Sequence, residues 1–408
     1  MAQVLTNSTL ATMVGGYGLI PQGAVVVDGD RILWAGPMAQ VPEVFQNAPT
    51  TDCDGRLLTP GLIDAHTHLI HGGNRAEEFE LRLNGASYEQ VARAGGGILS
   101  TVRATRAATE DDLVAQALPR LDQMIATGTT TVEVKSGYGL TIADEAKMLR
   151  AARRLANLRP VRVITTHLAA HAVPPEFADR ADDYLTEVAL PSLRAAHAEG
   201  LVDAVDAFCE TIAFSSAQVA RLFAEAARLG LPVKLHAEQL SDLKGAVLAA
   251  GFGALSCDHV EYLGADGVAA MAAKSCVAGI LPGAFYTLRE VQMPPIAALR
   301  AAGVQMMVAS DCNPGSAPIT SLPLAMNMAC TLFRMTPEEA LLGTTAVAAQ
   351  ALGLTDRGQI VPGQLADLCL WEARHPAELC YRIGATPLRA RVFGGQVTQF
   401  IQNMRITT

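Results

Sequence analysis

The stretch Thr59-Pro60-Gly61-Leu62-Ile63-Asp64-Ala65-His66-Thr67-His68 runs from an apolar segment into two histidines two residues apart. In a strand, side chains at i and i+2 point to the same face. His66 and His68 are therefore expected to converge at one strand end, which is half of a metal site. The plainer reading is two unrelated polar residues capping a strand. Which reading holds depends on what the rest of the chain brings to the same place.

Outward from this stretch, short apolar runs ending in polar residues alternate with helical segments. There are eight such runs: Leu57 to His68, Thr129 to Lys135, Val161 to His167, Val202 to Glu210, Pro232 to His236, Ala254 to His259, Ser275 to Leu281 and Gln305 to Asp311. Helix signals lie between them. Thr109-Glu110-Asp111-Asp112 supplies an N-cap and first-turn acids, and Ser215-Ser216 opens a helix that stops at Gly230. Thr336-Pro337-Glu338-Glu339 combines an N-cap, a first-position proline and a capping-box glutamate, and that helix is expected to close at Gly353. Eight strands alternating with helices predict an α/β fold, a (β/α)8 TIM-type barrel. A doubly wound open sheet is the runner-up, because alternation alone does not establish closure.

Both flanks read as β. Ala24-Val25-Val26-Val27, the turn Asp28-Gly29-Asp30 and Arg31-Ile32-Leu33-Trp34 predict a hairpin. Gly363 to Trp371, and Ala390-Arg391-Val392-Phe393 with Gly394-Gly395, carry strand and turn signals near the other end. The expected division is residues 1–57 and 355–408 as the two parts of a small composite β-sandwich, with the barrel over 58–354.

The 408 residues are 50% hydrophobic and 17% charged, enough apolar material for a large core, and the 5% aromatic content suits Ala- and Gly-rich packing. A formal charge of −9 with no basic stripe argues against nucleic acid. No apolar stretch reaches about 18 residues, so no spanning helix is expected. The first twenty residues show no signal-peptide pattern. Eight cysteines without a CxxC pair read as reduced, buried thiols, and a cytoplasmic location is expected.

Under the barrel reading, catalytic groups belong at the carboxyl ends of the strands. His66, His68, Lys135, His167, Glu210, His236, His259 and Asp311 all collect there. The expected metal ligands are His66, His68, His236 and Asp311; Asp311 follows the apolar run Met306 to Ser310. A lone strand-end histidine is more often structural, so His236 and His259 gain weight from their company. His259 is assigned a place beside the attacking water or the substrate, moving protons with Asp311. Arg75 lies a few residues past the first barrel strand and suits a bidentate carboxylate pair. Its alternative is a surface arginine pairing with Glu77 or Glu78.

These motifs resemble the amidohydrolase superfamily, and within it the ring-opening hydrolases of histidine degradation. The general signals are Pro60 to His68, His236, His259, Asp311 and Gly363-Gln364-Leu365-Ala366-Asp367-Leu368. The more specific ones are His71-Gly72-Gly73-Asn74-Arg75-Ala76-Glu77-Glu78-Phe79, Val134-Lys135-Ser136-Gly137-Tyr138-Gly139-Leu140, Thr166-His167-Leu168-Ala169-Ala170-His171 and Ser310-Asp311-Cys312-Asn313-Pro314-Gly315-Ser316. The resemblance implies one Zn2+ or Fe3+ per subunit, a homodimer, and hydrolysis of 4-imidazolone-5-propanoate to N-formimidoyl-L-glutamate. It also implies substrate contacts from Arg75, Tyr138, His171, Gln239, Asn313, Gly315 and Ser316. Of these, Tyr138 is the best supported by the residues themselves, since a tyrosine between two glycines is presented by a loop. Asn313 and Ser316 alone would read as turn residues.

Two departures narrow the class. The fourth strand ends Asp206-Ala207-Phe208-Cys209-Glu210 without the lysine that bridges two metals in binuclear relatives. Where many deaminases carry His-x-x-Glu, this chain has Gln239, and the neighbouring Glu238 should face the other way. Arg93 to Ile98 is a glycine cluster without a phosphate-loop lysine, and an active-site loop is the better reading. A cysteine hydrolase using Cys209 or Cys312, a non-catalytic barrel scaffold, and a hydrolase of another small carboxylated cyclic amide stand as alternatives.

Overall fold

The apolar run that opens the barrel is divided between two sheets. The computed structural model describes residues 2–85 and 96–400. In it, Leu57–Pro60 (β5) belongs to a sheet built from the two chain ends, and Leu62–Asp64 (β6) is the first barrel strand. The break falls at Gly61, where a Cβ would come within 2.3 Å of the Thr130 side chain. Only a residue without a side chain lets the two sheets share one continuous strand path.

The barrel strands follow as Thr129–Lys135 (β7), Arg162–Ala170 (β8), Ala204–Cys209 (β9), Lys234–Ala237 (β10), Ser256–His259 (β11), Val277–Ile280 (β12) and Met306–Val308 (β13). Each pairs in parallel with the next, in sequence order. The ends of this sheet meet. Thr67 bridges Cys312, the Asp311 N–H donates to the His66 carbonyl at 3.0 Å, and the His68 N–H donates to the Cys312 carbonyl at 3.0 Å. Sequential order with joined ends is a barrel, and the open doubly wound sheet is discarded. The strand alternation sends Val132 and Val134 outward into the helix-packed core and Glu133 and Lys135 inward. Helices Glu110–Ala126 and Ser216–Arg228 start at the expected Thr109 and Ser215, where the structure adds capping boxes with Asp112 and Gln218.

The second sheet runs Gln396–Phe400 (β16), Leu388–Phe393 (β15), Leu368–Trp371 (β14), β5, Gln3–Ala11 (β1), Leu19–Asp28 (β2), Arg31–Pro37 (β3), with Thr50–Asp52 (β4) against β1. The expected hairpin is β2–β3, with Asp28 opposite Arg31. One apolar core holds Leu10, Val25, Ile32, Leu58, Leu368 and Val392 together. The other face packs Leu57 and Trp371 against Leu322 and Met326 of the barrel's helix layer.

Two local expectations are corrected. The helix capped by Thr336 ends at Gly343, and Ala346–Gln350 is a separate short helix. Gly343 lies against β13, where a Cβ would sit 2.9 Å from the Met306 carbonyl, and the chain turns at Thr344-Thr345. His167 is not at a strand end, because β8 continues to Ala170. Arg93 to Gly95 of the glycine cluster lie outside the described residues. Among the described residues no helix is long and apolar enough to cross a membrane. The eight cysteines are free thiols, seven of them buried.

Candidate metal centre and active-site cavity

The peptide path that closes the barrel also aims its ligands. Residues 66–68 remain extended between β7 and the segment after β13, with the Lys135 N–H on the Thr67 carbonyl at 2.9 Å. His66 and His68 therefore share a face, and their ring centroids are 5.4 Å apart. His236 comes from the middle of β10, with its Nε2 3.3 Å from His68 Nε2. Asp311 follows β13, and its Oδ1 is 3.5 Å from the Nε2 of both His66 and His68. All four sit in the interior with 3% exposure or less.

Burial shifts the three imidazoles toward the neutral form a cation requires. Burial lowers the His66 and His68 imidazoles well below their ordinary value, so they are neutral. His66 Nδ1 lies 2.6 Å from Asp258 Oδ2, and His236 Nδ1 lies 3.0 Å from Asp206 Oδ2. These carboxylates leave each Nε2 for a cation, the arrangement found behind metal-bound histidines; among the described residues the donor atoms of His66, His68 and Asp311 lie within 4.8 Å of one another, as do those of His66, His236 and His259. His66 Nε2 has no hydrogen-bond partner among the described residues. A buried, orphaned Nε2 among two further imidazoles and a carboxylate fits a transition-metal cation. Burial pushes the Asp311 carboxyl up to about 7, against the pull of His259.

His259 ends β11, its ring centroid 5.5 Å from that of His236. Glu261, with Oε1 3.9 Å from Nδ1, and then Asp311 outweigh burial and raise the imidazole above its ordinary value. The backbone is left-handed at Glu238, His259, Val260 and Asp311, with φ of 51°, 83°, 62° and 53°. Non-glycine residues in that region carry strain, which concentrates where side chains must be aimed.

Above these groups opens a cavity of about 460 Å³. Its wall includes Arg75, Tyr138, His171, Gln239, Asn313, Gly315 and Ser316, so every residue expected to contact substrate reaches it. The His171 ring stacks on His68 at 5.1 Å and shares a 3.0 Å contact between its Nδ1 and the Gly137 carbonyl; burial lowers it to about 3. Tyr138 packs 5.8 Å from His68 and 5.3 Å from His171, and burial raises its hydroxyl. Asn313 is both wall and turn: its Oδ1 accepts from the Gly315 and Ser316 N–H groups, each at 2.8 Å. Arg75 combines a cavity position with a glutamate partner. It lines the cavity, and it pairs with Glu78 through Nε at 2.8 Å and Nη2 at 2.5 Å.

Other strand-end groups do different work. His167 faces outward, its Nε2 3.0 Å from Ser192 Oγ. Glu210 accepts from the Leu240 and Ser241 N–H groups and holds the loop that carries Gln239. Glu238 turns away from the cavity and accepts from the Gly245 and Ala246 N–H groups. Burial raises Cys209 to about 11 and Cys312 to about 12, which removes both as ready thiolate nucleophiles.

The sequence reading placed Lys135 at a strand end but missed the charge network it forms with Glu133, Asp206, Lys234 and Asp258 beneath the candidate ligands. Lys135 Nζ lies 2.9 Å from Glu133 Oε2 and 2.8 Å from Asp206 Oδ2. Lys234 Nζ lies 3.2 Å from Glu133 Oε1 and 3.6 Å from Asp258 Oδ2. A signal was present: charged residues inside otherwise apolar barrel strands.

Fold and donor set together define a barrel enzyme built to hold a metal ion. The sequence model of the amidohydrolase family matches residues 57–402, and the chain belongs to that family. A relative from Ruegeria pomeroyi named imidazolonepropionase is 63% identical, over 95% of this chain and 98% of its own length. One of the same name from Paracoccus denitrificans is 61% identical, over 97% and 100%. Among solved structures, an adenosine deaminase from Xanthomonas campestris with bound zinc matches with a TM-score of 0.72 at 18% identity, over 97% of this chain and 92% of that one. The structural likeness is one of fold.

Proposed function

We propose that this chain hydrolyses the cyclic amide of 4-imidazolone-5-propanoate to N-formimidoyl-L-glutamate, a ring-opening step of histidine degradation. The observation that carries the reading is a cavity with a guanidinium at one side, Arg75, and a three-imidazole, one-carboxylate donor set at its floor. The near full-length likeness to imidazolonepropionases supports it.

In this reading His66, His68, His236 and Asp311 hold one zinc or iron ion. When bound, such a cation acidifies water and polarises the ring carbonyl. Arg75 holds the propanoate, and Tyr138 and His171 pack along the flat ring. Gln239, Asn313, Gly315 and Ser316 complete the walls. Asp311 accepts the proton of the attacking water. As the C–N bond breaks, Asp311 or its neighbour His259 returns a proton to the departing ring nitrogen, so water is consumed and no proton is lost. Gln239 does not ionise, which leaves proton transfer to Asp311 and His259. The chain is taken to act in the cytoplasm as a homodimer, without nucleic acid or membrane, with the barrel over 58–354 and the sandwich over 1–57 and 355–408.

The test is elemental analysis of the purified protein together with ultraviolet decay of enzymatically generated imidazolone propanoate. About one zinc or iron per chain with chelator-sensitive decay supports the proposal. Metal with no decay above the spontaneous rate sinks the substrate assignment. No metal and no decay sinks the ligand set.

A further inference from the structure

Glu78 lies three residues after Arg75, on the first turn of helix Ala76–Leu83, and is 8% exposed. Its two oxygens take the Nε–Nη2 edge of the Arg75 guanidinium, a fork-to-fork pair. A guanidinium has a second two-donor edge, Nη1–Nη2. Arg75 Nη1 has no hydrogen-bond partner among the described residues. It sits against Gly315, where a Cβ would fall 2.1 Å away, and both residues line the cavity.

The same carboxylate does two more things. Glu78 Oε2 accepts the Gly97 N–H at 2.8 Å. Gly97 has φ of 75°, opens helix Ile98–Ala107, and with Ile98 forms part of the cavity rim. Arg82 Nε approaches Glu78 Oε1 at 3.9 Å, and Arg82 also lines the cavity. Two guanidiniums on one carboxylate leave a single residual positive charge, the complement of a single carboxylate on a ligand.

We infer that Glu78 is a positioning residue for substrate recognition: it holds one edge of Arg75 so that the other edge meets a ligand carboxylate, and it ties that edge to the Gly97 rim. The inference rests on the cavity taking a carboxylated ring, as proposed above. It makes selectivity for the propanoate a property of the Glu78–Arg75 pair rather than of Arg75 alone.

The experiment is calorimetric binding of 3-(imidazol-4-yl)propanoate and its neutral propanamide to the metal-loaded wild type, Glu78→Gln, Arg75→Ala and the double variant. Glu78→Gln keeps size and removes charge. It should weaken propanoate binding roughly tenfold and leave propanamide binding within about twofold. In the Arg75→Ala background the same change should shift propanoate binding by less than about twofold, because its effect runs through Arg75. In turnover, KM for 4-imidazolone-5-propanoate should rise roughly tenfold in Glu78→Gln with kcat within about threefold. Unchanged propanoate binding, an equal loss for propanamide, or full additivity with Arg75→Ala overturns the inference, as does a wild type that does not bind the propanoate. A wild type that binds the propanoate but does not turn over the imidazolone sinks the proposed reaction, while the binding data still decide the role of Glu78.

Discussion

Inside the barrel, Lys135 and Lys234 are fully buried and face carboxylates: Glu133, Asp206 and Asp258. At the seam between the barrel and the terminal sheet, Arg391 is just as buried, yet its donors go to neutral acceptors. Its Nε donates to the Thr129 carbonyl at 3.1 Å, its Nη1 to Thr398 Oγ1 at 3.0 Å and its Nη2 to the Pro160 carbonyl. The Arg391 and Arg162 guanidiniums also lie 5.1 Å and 4.8 Å from the Phe393 ring. The difference lies in what each region has to hold. The seam joins two sheets, and Arg391 reads carbonyls at the starts of β7 and β8 directly, while the nearby Asp367 is taken up by Arg162 at 2.7 Å. The barrel interior orients imidazoles, and Asp206 and Asp258 stand behind the Nδ1 atoms of His236 and His66. Buried charges are poor contributors to stability unless paired, and these lie paired beneath the candidate ligands.

The comparison is most easily broken at its functional end. His236→Ala removes one donor and one of the two partners of Asp206 described above; bound metal should fall well below one per chain and activity should drop at least roughly a thousandfold. Elemental analysis and the absorbance assay read both, and retained metal with near-normal rates would remove the barrel's special status. Lys135→Met leaves Glu133 and Asp206 without their shared cation, and denaturant unfolding should show a loss of about 3–5 kcal/mol together with weaker metal retention. Arg391→Met removes three hydrogen bonds to neutral acceptors and should cost about 2–3 kcal/mol, with kcat/KM within about threefold of wild type. An Arg391 variant that loses activity as far as Lys135→Met does would mean the two regions are one functional unit. The smallest effect is expected at Trp371→Phe, which deletes the 2.8 Å hydrogen bond from Nε1 to Thr59 Oγ1; about 1–2 kcal/mol of stability should go and metal content should stay unchanged.

Much of the site was legible because its signals are local. A strand alternates faces every residue, so His-x-His predicts convergence without knowledge of neighbours. Arg75 shows where local reading stops. Its two sequence readings, holder of a ligand carboxylate and partner of a nearby glutamate, look exclusive on paper; the glutamate pairing is seen, and a guanidinium's second donor edge leaves the other open to a ligand. His167 misled because the end of its strand depends on pairing partners, and β8 runs three residues further than its apolar run suggested.

By itself, the sequence determined the eight strand-helix alternations, the β character of both ends, and the residue types of the donor set. Each of these is written in side-chain period, caps and turns, which act over a few residues. Tertiary structure alone decided three things. It divided one apolar run between two sheets at Gly61, joined the ring through Thr67 and Cys312, and placed Asp206 and Asp258 behind His236 and His66. Those outcomes pair residues up to hundreds of positions apart, and such contacts are set by ring closure and the burial of charge in the assembled barrel, quantities that no short window of sequence contains.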